Sequence, residues 1–465
     1  MKSPAHLRPN IARVAMLGLM SALAGFAPSG GRGNLLAGSA RVISVDHLPE
    51  MDGQMCEWMP AGTNGPLYAA SGQQPTGARA TVTPDNEATR AEVVQRRPLR
   101  AVGDPYGLYS AVGVDLVNDE VILQDENHFR ILVYNRTANT SSGDLMTEPK
   151  RVISGDRTNL MLNSGLYVDP KNGDIYTVNN DSIDSTVVFS RQAKGNVAPD
   201  RDLHTPHGSF GIAVDEEDHE MFLTIEHSHA VVVFPKMANA EDNPIRYLQG
   251  DRTGLGDPHG IALDTKNDLI FVTNFGSTNT MRRREAGTNA RGDGDGKEHW
   301  PLDRDHAVPG SGKNVPPSIT VYPKKASGDS APLRVIRGSR TQLNWPAAIA
   351  VDSGRGELYV ANDQGDSVLV FSASANGDVA PLRVLKGPKT LIKYPNGVAL
   401  DLVHDELWVA SFGNHTATAY RRDASGDTPP LRVIRSGPYD ARVPALGNPF
   451  SVAFDTKRGE ILVPN

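Results

Sequence analysis

The chain has 465 residues, 39% of them hydrophobic, enough for a large core, and its 45 glycines and 33 prolines favour many short strands and turns. A net charge of −7 with no basic stripe argues against a nucleic-acid binder. The single cysteine, Cys56, excludes an internal disulfide.

Taken in chain order, the N-terminus reads first as a targeting signal. Lys2, Arg8 and Arg13 precede an apolar stretch from Val14 to Ala24, right in length for a signal h-region and too short to span a bilayer. Ala22-Leu23-Ala24 suits cleavage, with Ala27 as a rival, so residues 1–24 are expected as a signal peptide of an exported protein, periplasmic or secreted. Residues 25–77 read as a largely irregular arm. Met51, Met55, Cys56 and Met59 in it have helical spacing and soft ligand atoms, but filling gaps in packing is their ordinary use. No later stretch is apolar enough for a membrane helix, so no transmembrane anchor is expected.

From residue 78 to 465 the chain is organised by a repeat. Seven times it writes small, apolar, small, apolar, Asp, most clearly in Gly211-Ile-Ala-Val-Asp215, Gly260-Ile-Ala-Leu-Asp264 and Gly397-Val-Ala-Leu-Asp401. The aspartates Asp115, Asp169, Asp215, Asp264, Asp352, Asp401 and Asp455 are 54, 46, 49, 88, 49 and 54 residues apart. The one long interval contains a polar, Gly-rich insertion at 280–317. A period near 50 with this alternation is that of a β-propeller blade. Small residues suit innermost strands that converge on the axis, and the Asp caps the turn that follows. Second strands such as Glu357-Leu-Tyr-Val-Ala361 and third strands such as Ser367-Val-Leu-Val-Phe371 come next. Pro-x-Arg, as at Pro381-Leu-Arg383, marks each outer strand, where it discourages edge-to-edge pairing. Its arginines are expected to be structural.

The fold class expected is therefore all-β, a propeller of seven four-stranded blades. Because the seventh copy lacks outer strands, Ala78–Thr83 and Pro98–Val102 at the N-terminus are expected to close it. Six blades with a stray repeat is the alternative.

The unit Gly-Ile-Ala-Val-Asp, then Leu-Tyr-Val-Ala-Asn, then Val-Leu-Val-Phe resembles the NHL repeat of bacterial propellers, and Asn376-Gly-Asp-Val-Ala-Pro-Leu-Arg-Val384 resembles the tail of its secreted forms. The resemblance implies an exported bacterial propeller whose loop-rich face binds. Loops entering the innermost strands carry His207, Asp257, His259, Trp345, Tyr394, Asn396, Asn448 and Phe450. Loops between second and third strands carry Glu226, His227, His229, Asn274, Phe275, Asn362, Asp363 and His415. Aromatics with amides and carboxylates around a concavity suit a small polar or glycan-like ligand. Asp257, His259, Trp345, Tyr394, Asn396, Asn448 and Phe450 are the candidate ligand-binding residues. His207, Glu226, His227, His229 and His259 are candidate ligands for zinc or another divalent metal.

Among NHL-type enzymes the peptidylhydroxyglycine lyases hold zinc with histidines from several blades. Pro258-His-Gly260 resembles one of their motifs, while Ser164, Phe210, Ala347, Asn396 and Phe450 stand at the corresponding places. Lactonase-like propellers hold Ca²⁺ with inward carboxylates and amides, for which Asp125, Asn179, Asn274 and Asn362 are the candidates. The leading expectation is a non-catalytic binding scaffold for a protein partner or a small polar ligand. A metal-dependent lyase or lactonase-like hydrolase is the alternative.

Overall fold

The structure is a computed structural model that describes residues 106–180, 183–278, 281–283, 305–307, 313–438, 453–455 and 460–462. These all fall within the larger of two compact units, residues 52–465. The signal-peptide, arm, Cys56 and N-terminal strand expectations lie outside the described residues.

Six four-stranded antiparallel sheets, at 109–154, 163–204, 209–249, 258–337, 346–386 and 395–435, form blades 1 to 6. In each, the four strands pair in sequence order. The innermost strands are Tyr109–Asp115, Asn163–Val168, Ser209–Asp215, Pro258–Asp264, Pro346–Asp352 and Pro395–Asp401. They crowd the axis closely enough to require glycine. A Cβ at Gly165 would lie 2.3 Å from the Phe210 carbonyl oxygen, and one at Gly211 would lie 2.2 Å from that of His259.

Each innermost strand packs on the next, and Tyr109–Asp115 packs directly on Pro395–Asp401. Tyr109, Val112, Leu123 and Tyr134 of blade 1 share a buried cluster with Trp408, Ala410, Ala417 and Ile434 of blade 6. The ring thus closes with six blades, not seven. Among the described residues the seventh copy shows a two-stranded pair, Ala453–Asp455 with Glu460–Leu462. No N-terminal closing strand stands among the described residues. Counting Asp anchors overstates the blades, because an anchor marks an innermost strand whether or not that strand joins the ring. The insertion enters between the second and third strands of blade 4. It carries strand pairs, Ser277–Thr278 with Lys313–Asn314 and Met281–Arg283 with Asp305–Ala307.

The anchor aspartates hold the blades to one another. Each caps its turn: Asp215 Oδ1 accepts the N–H groups of Glu217 and Asp218 at 2.9 and 3.0 Å, and Asp352 Oδ1 those of Gly354 and Arg355 at 2.9 and 3.0 Å. The anchor carboxylate also takes a cation from the end of the next blade's third strand. Lys236 reaches Asp169 at 2.6 Å, Lys324 reaches Asp215 at 2.6 Å, Arg191 reaches Asp115 at 3.4 Å, and Arg422 pairs with Asp352. Arg136 of blade 1 closes the circle onto Asp401 (3.7 Å) and Glu406 (3.2 Å) of blade 6. Blade 4 departs from the rule. Blade 5 has Ala373 at the cation's place, and Asp264 is held instead by Asn267 of its own turn at 2.7 Å.

The Pro-x-Arg arginines bind within the blades. Arg246 and Arg383 clasp Glu220 and Glu357, the first residues of the second strands, at 2.6 and 2.7 Å, and Arg432 pairs with Glu406. Arg201, Arg246, Arg383 and Arg432 also lie over Tyr176, Phe222, Tyr359 and Trp408. Their role is structural.

Arg136 is buried, and removing it leaves buried Asp401 without a Lys or Arg at the closing seam, while Glu406 keeps Arg432. Arg136→Ala is expected to cost about 3–5 kcal/mol in urea unfolding. A cost below about 1 kcal/mol, the surface-pair range, would contradict this account of closure.

Candidate functional site

On the loop-rich face one hydrogen bond recurs in every blade. The carbonyls of Leu108, Leu162, Gly208, Asp257, Trp345 and Tyr394 accept the N–H groups of Glu126, Asn180, Glu226, Phe275, Asp363 and Phe412, at 2.8 to 3.1 Å. These pairs fix the loop entering each innermost strand against the loop leaving the second strand. The backbone of Leu162, Asp257, Trp345 and Tyr394 turns left-handed there, with φ of 42°, 55°, 54° and 44°. For such side chains this costs about 1–2 kcal/mol each, so the fold imposes it.

A ladder of rings crosses the mouth from blade 3 to blade 5. Phe210 lies 4.3 Å from His259, His259 stacks on Phe275 at 3.4 Å and 11°, and Phe275 stacks on Trp345 at 5.0 Å and 29°. His259 is buried, whereas Trp345 is 47% exposed, so the ladder ends at the surface. Below the mouth an axial cavity of about 80 Å³ is lined by Ser110, Ser164, Phe210, Asn396 and the axial glycines. It has room for a few waters, not for a substrate.

Both His259 nitrogens face acceptors. Nε2 lies 2.8 Å from Glu226 Oε1, and Nδ1 lies 3.0 Å from the Asp257 carbonyl oxygen. Asn180 Nδ2 donates to Glu226 Oε2 at 3.3 Å. Burial works against the imidazolium, but the Glu226 charge and hydrogen bond outweigh it, so His259 titrates above the ordinary histidine range. Burial likewise raises Glu226, and His259 brings it back below the usual carboxylate value. The result is an imidazolium–carboxylate pair. Asp257 is raised, first by burial and then by the Glu226 charge. Burial pushes Asp363 up to about 7. Neither Asp257 nor Asp363 has a Lys or Arg ion pair among the described residues.

The candidate residues separate accordingly. Glu226, Asp257 and His259 each offer a ligand atom within 4.8 Å of the others, the one such triple among the described residues. It joins two of the candidate metal ligands to one candidate ligand-binding residue. His207, His227 and His229 fall outside it. His207 bonds Asp184 at 3.0 Å, and its ring lies 5.3 Å from that of His227. His229 Nδ1 accepts the Asp257 N–H at 3.1 Å, the service Asp366 performs for Tyr394 at 3.0 Å in blade 5. Burial lowers the pKa of His229, in keeping with that acceptor role. Tyr394 carries Lys393 Nζ over its ring at 4.4 Å. Asn448 and Phe450 lie outside the described residues.

The candidate calcium set works as loop clamps. Asn179, Asn274 and Asn362 Oδ1 accept the N–H groups of Met161, Gly256 and Asn344, and Asp125 Oδ1 that of Leu108. Asn180 and Phe210 were missed as mouth residues, although their repeat register matches that of Glu226 and His259.

A scan of protein families finds no match, and neither does a search of characterised proteins. Among solved structures, a chain of a nidogen/laminin complex is 13% identical over 71% of this chain and 93% of that one, with a TM-score of 0.41. The Kuenenia stuttgartiensis hydrazine synthase is 13% identical over 70% and 99%, with a TM-score of 0.44. Neither likeness bears on the site. Among the described residues no helix is long and apolar enough to cross a membrane.

Asp363 gives the site a pH signature. The folded state holds its proton up to about pH 7, whereas the unfolded chain releases it near pH 4. The unfolded state therefore binds fewer protons in that window, and stability falls as pH rises through it. Asp363→Asn removes the penalty. The variant should gain on the parent at pH 8, by at most about 4 kcal/mol, and much less at pH 5. Urea unfolding that shows equal differences at both values would contradict the assignment.

Proposed function

We propose that the chain is an NHL-type propeller, exported from a bacterium, that acts as a non-catalytic binding scaffold. Its loop-rich face receives a small polar ligand, or a polar group of a protein partner, at the mouth beside His259. The observation that carries this reading is the ring ladder, anchored at buried His259 and ending at half-exposed Trp345. A rigid aromatic step with carboxylates beside it is a binding surface with little ordering cost. Its chemistry does not suit a general base, because both His259 nitrogens are engaged in the folded state. The export signal in residues 1–24 supports a location outside the cytoplasm.

A metal-dependent lyase or lactonase-like activity is the second reading, favoured by the Glu226, Asp257 and His259 triple. For His259 to serve as a ligand there, it would first have to lose a proton and release Glu226.

Thermal unfolding with a panel of neutral monosaccharides, amino acids and choline distinguishes the readings. A member present at a hundred times its Kd should stabilise the parent by about 2.7 kcal/mol and Trp345→Ala by clearly less, about 1.8 kcal/mol for a fivefold loss of affinity. The scaffold reading fails if nothing stabilises the parent, or if Trp345→Ala is stabilised as much as the parent. It also fails if only Zn²⁺ or Ca²⁺ acts.

A further inference from the structure

The carboxylates beside the ring ladder differ from most others of the propeller: five of the six anchor aspartates in the ring, and Asp125 at the blade 1 loop clamp, have a Lys or Arg, whereas Asp264 has only Asn267. On the anchor face Asp115, Asp169, Asp215, Asp352 and Asp401 each meet a Lys or Arg of the next blade. At the mouth Glu226, Asp257 and Asp363 meet neither, and the one cation among them is His259, already paired with Glu226. Asp363 is only 9% exposed. Its Oδ1 accepts from Gln364 Nε2 at 3.1 Å, and among the described residues no hydrogen bond reaches Oδ2. Lys393 does not fill the gap, because Asp366 holds its ammonium at 2.6 Å. Asp363 is thus buried beside an aromatic wall with no Lys or Arg partner among the described residues, and the half-buried Asp257 has only the His259 ring, 3.7 Å away and already given to Glu226.

Burying a carboxyl without a partner is costly, and a cation supplied from outside removes that cost. The wall favours one kind of cation. The electron-rich faces of Trp and Phe attract an ammonium group, most strongly where water is displaced. A bare metal ion would gain nothing from those rings, and His259, the natural nitrogen donor, has both nitrogens engaged.

We propose that the mouth binds an organic ammonium group, with its positive head in the field of Asp257 and Asp363 and its apolar body against the Phe275–Trp345 stack. This names the ligand class of the binding scaffold and rests on that reading. The groups that act on Asp363 are Asp366, His259 and Lys393, and those that act on Asp257 are His259, Glu226 and His227. A bound ammonium favours the ionised form of Asp363, so binding releases a proton near neutrality and strengthens from pH 6 to 8.

Titration calorimetry with choline and its uncharged isostere 3,3-dimethylbutanol tests the proposal on the full chain. Choline should bind at least tenfold more tightly than the isostere. Trp345→Ala should weaken choline about fivefold or more, within the range of an exposed to partly desolvated cation–π contact. Asp363→Asn should weaken choline while leaving the isostere unchanged. That substitution removes a buried charge and Trp345 is half-exposed, so both variants should fold, which thermal unfolding checks. Equal binding of choline and the isostere overturns the ammonium proposal but leaves the scaffold reading standing, as does binding of neutral sugars alone. Zn²⁺ or Ca²⁺ binding that excludes choline overturns the proposal in favour of the metal reading. No binding by any member of the panel overturns both the proposal and the scaffold reading.

Discussion

The structure depends on one interaction: a buried aspartate at the end of an innermost strand that must be neutralised by the neighbouring blade. The Asp caps its own turn through backbone N–H groups, which fixes it locally. Its remaining charge in a protected site calls for a Lys or Arg, and the cation comes from the end of the next third strand. Local capping and inter-blade pairing therefore meet at one residue. A blade that slipped in register would leave a buried charge unmatched. The same rule closes the ring, because Arg136 finds Asp401 and Glu406 across 265 and 270 residues of chain. Blade 4 shows the constraint can be met otherwise, with Asn267 as a neutral partner for Asp264.

That constraint gives the opposite face its freedom. With the blades locked at the anchor side, the mouth can hold residues that would otherwise destabilise the fold. Bulky side chains sit at left-handed positions, an imidazolium is buried on a carboxylate, and Asp363 keeps its proton near neutrality. Stability supplied elsewhere and strain gathered in one place is the pattern expected of a site that binds. Asp363, buried beside the ring ladder with no Lys or Arg partner among the described residues, directs attention to the mouth.

Much of the fold was legible because repetition makes weak signals strong. The anchor Asp, the axial glycines and the Pro-x-Arg arginines each recur in register, and each has the mechanical role their chemistry suggests. Blade number was not legible from the anchors. The copy at Ser451–Asp455 reads like the others, and what excludes it from the ring is packing between Tyr109 and Trp408, about 300 residues apart. The better signal was the count of complete third strands, which is six. In the site, register alone aligned Glu226 with His259. It could not show that His229 serves the backbone, although one clue was available. His229 stands 28 residues before Asp257, as Asp366 stands 28 before Tyr394, and a histidine that replaces an aspartate at a clamp is an acceptor. The importance of Asp363 was hidden because its perturbation comes from burial, which depends on the surrounding loops.

The central claim is that blades 1 to 6 form a closed ring, blade 1 packed directly on blade 6. The most direct measurement is urea unfolding of residues 103–438 expressed alone, compared with the full chain. The account predicts one cooperative transition with the same midpoint in both. A markedly lower midpoint, or a separate early transition for the sheets at 109–154 and 395–435, would contradict it and return closure to segments outside the six blades.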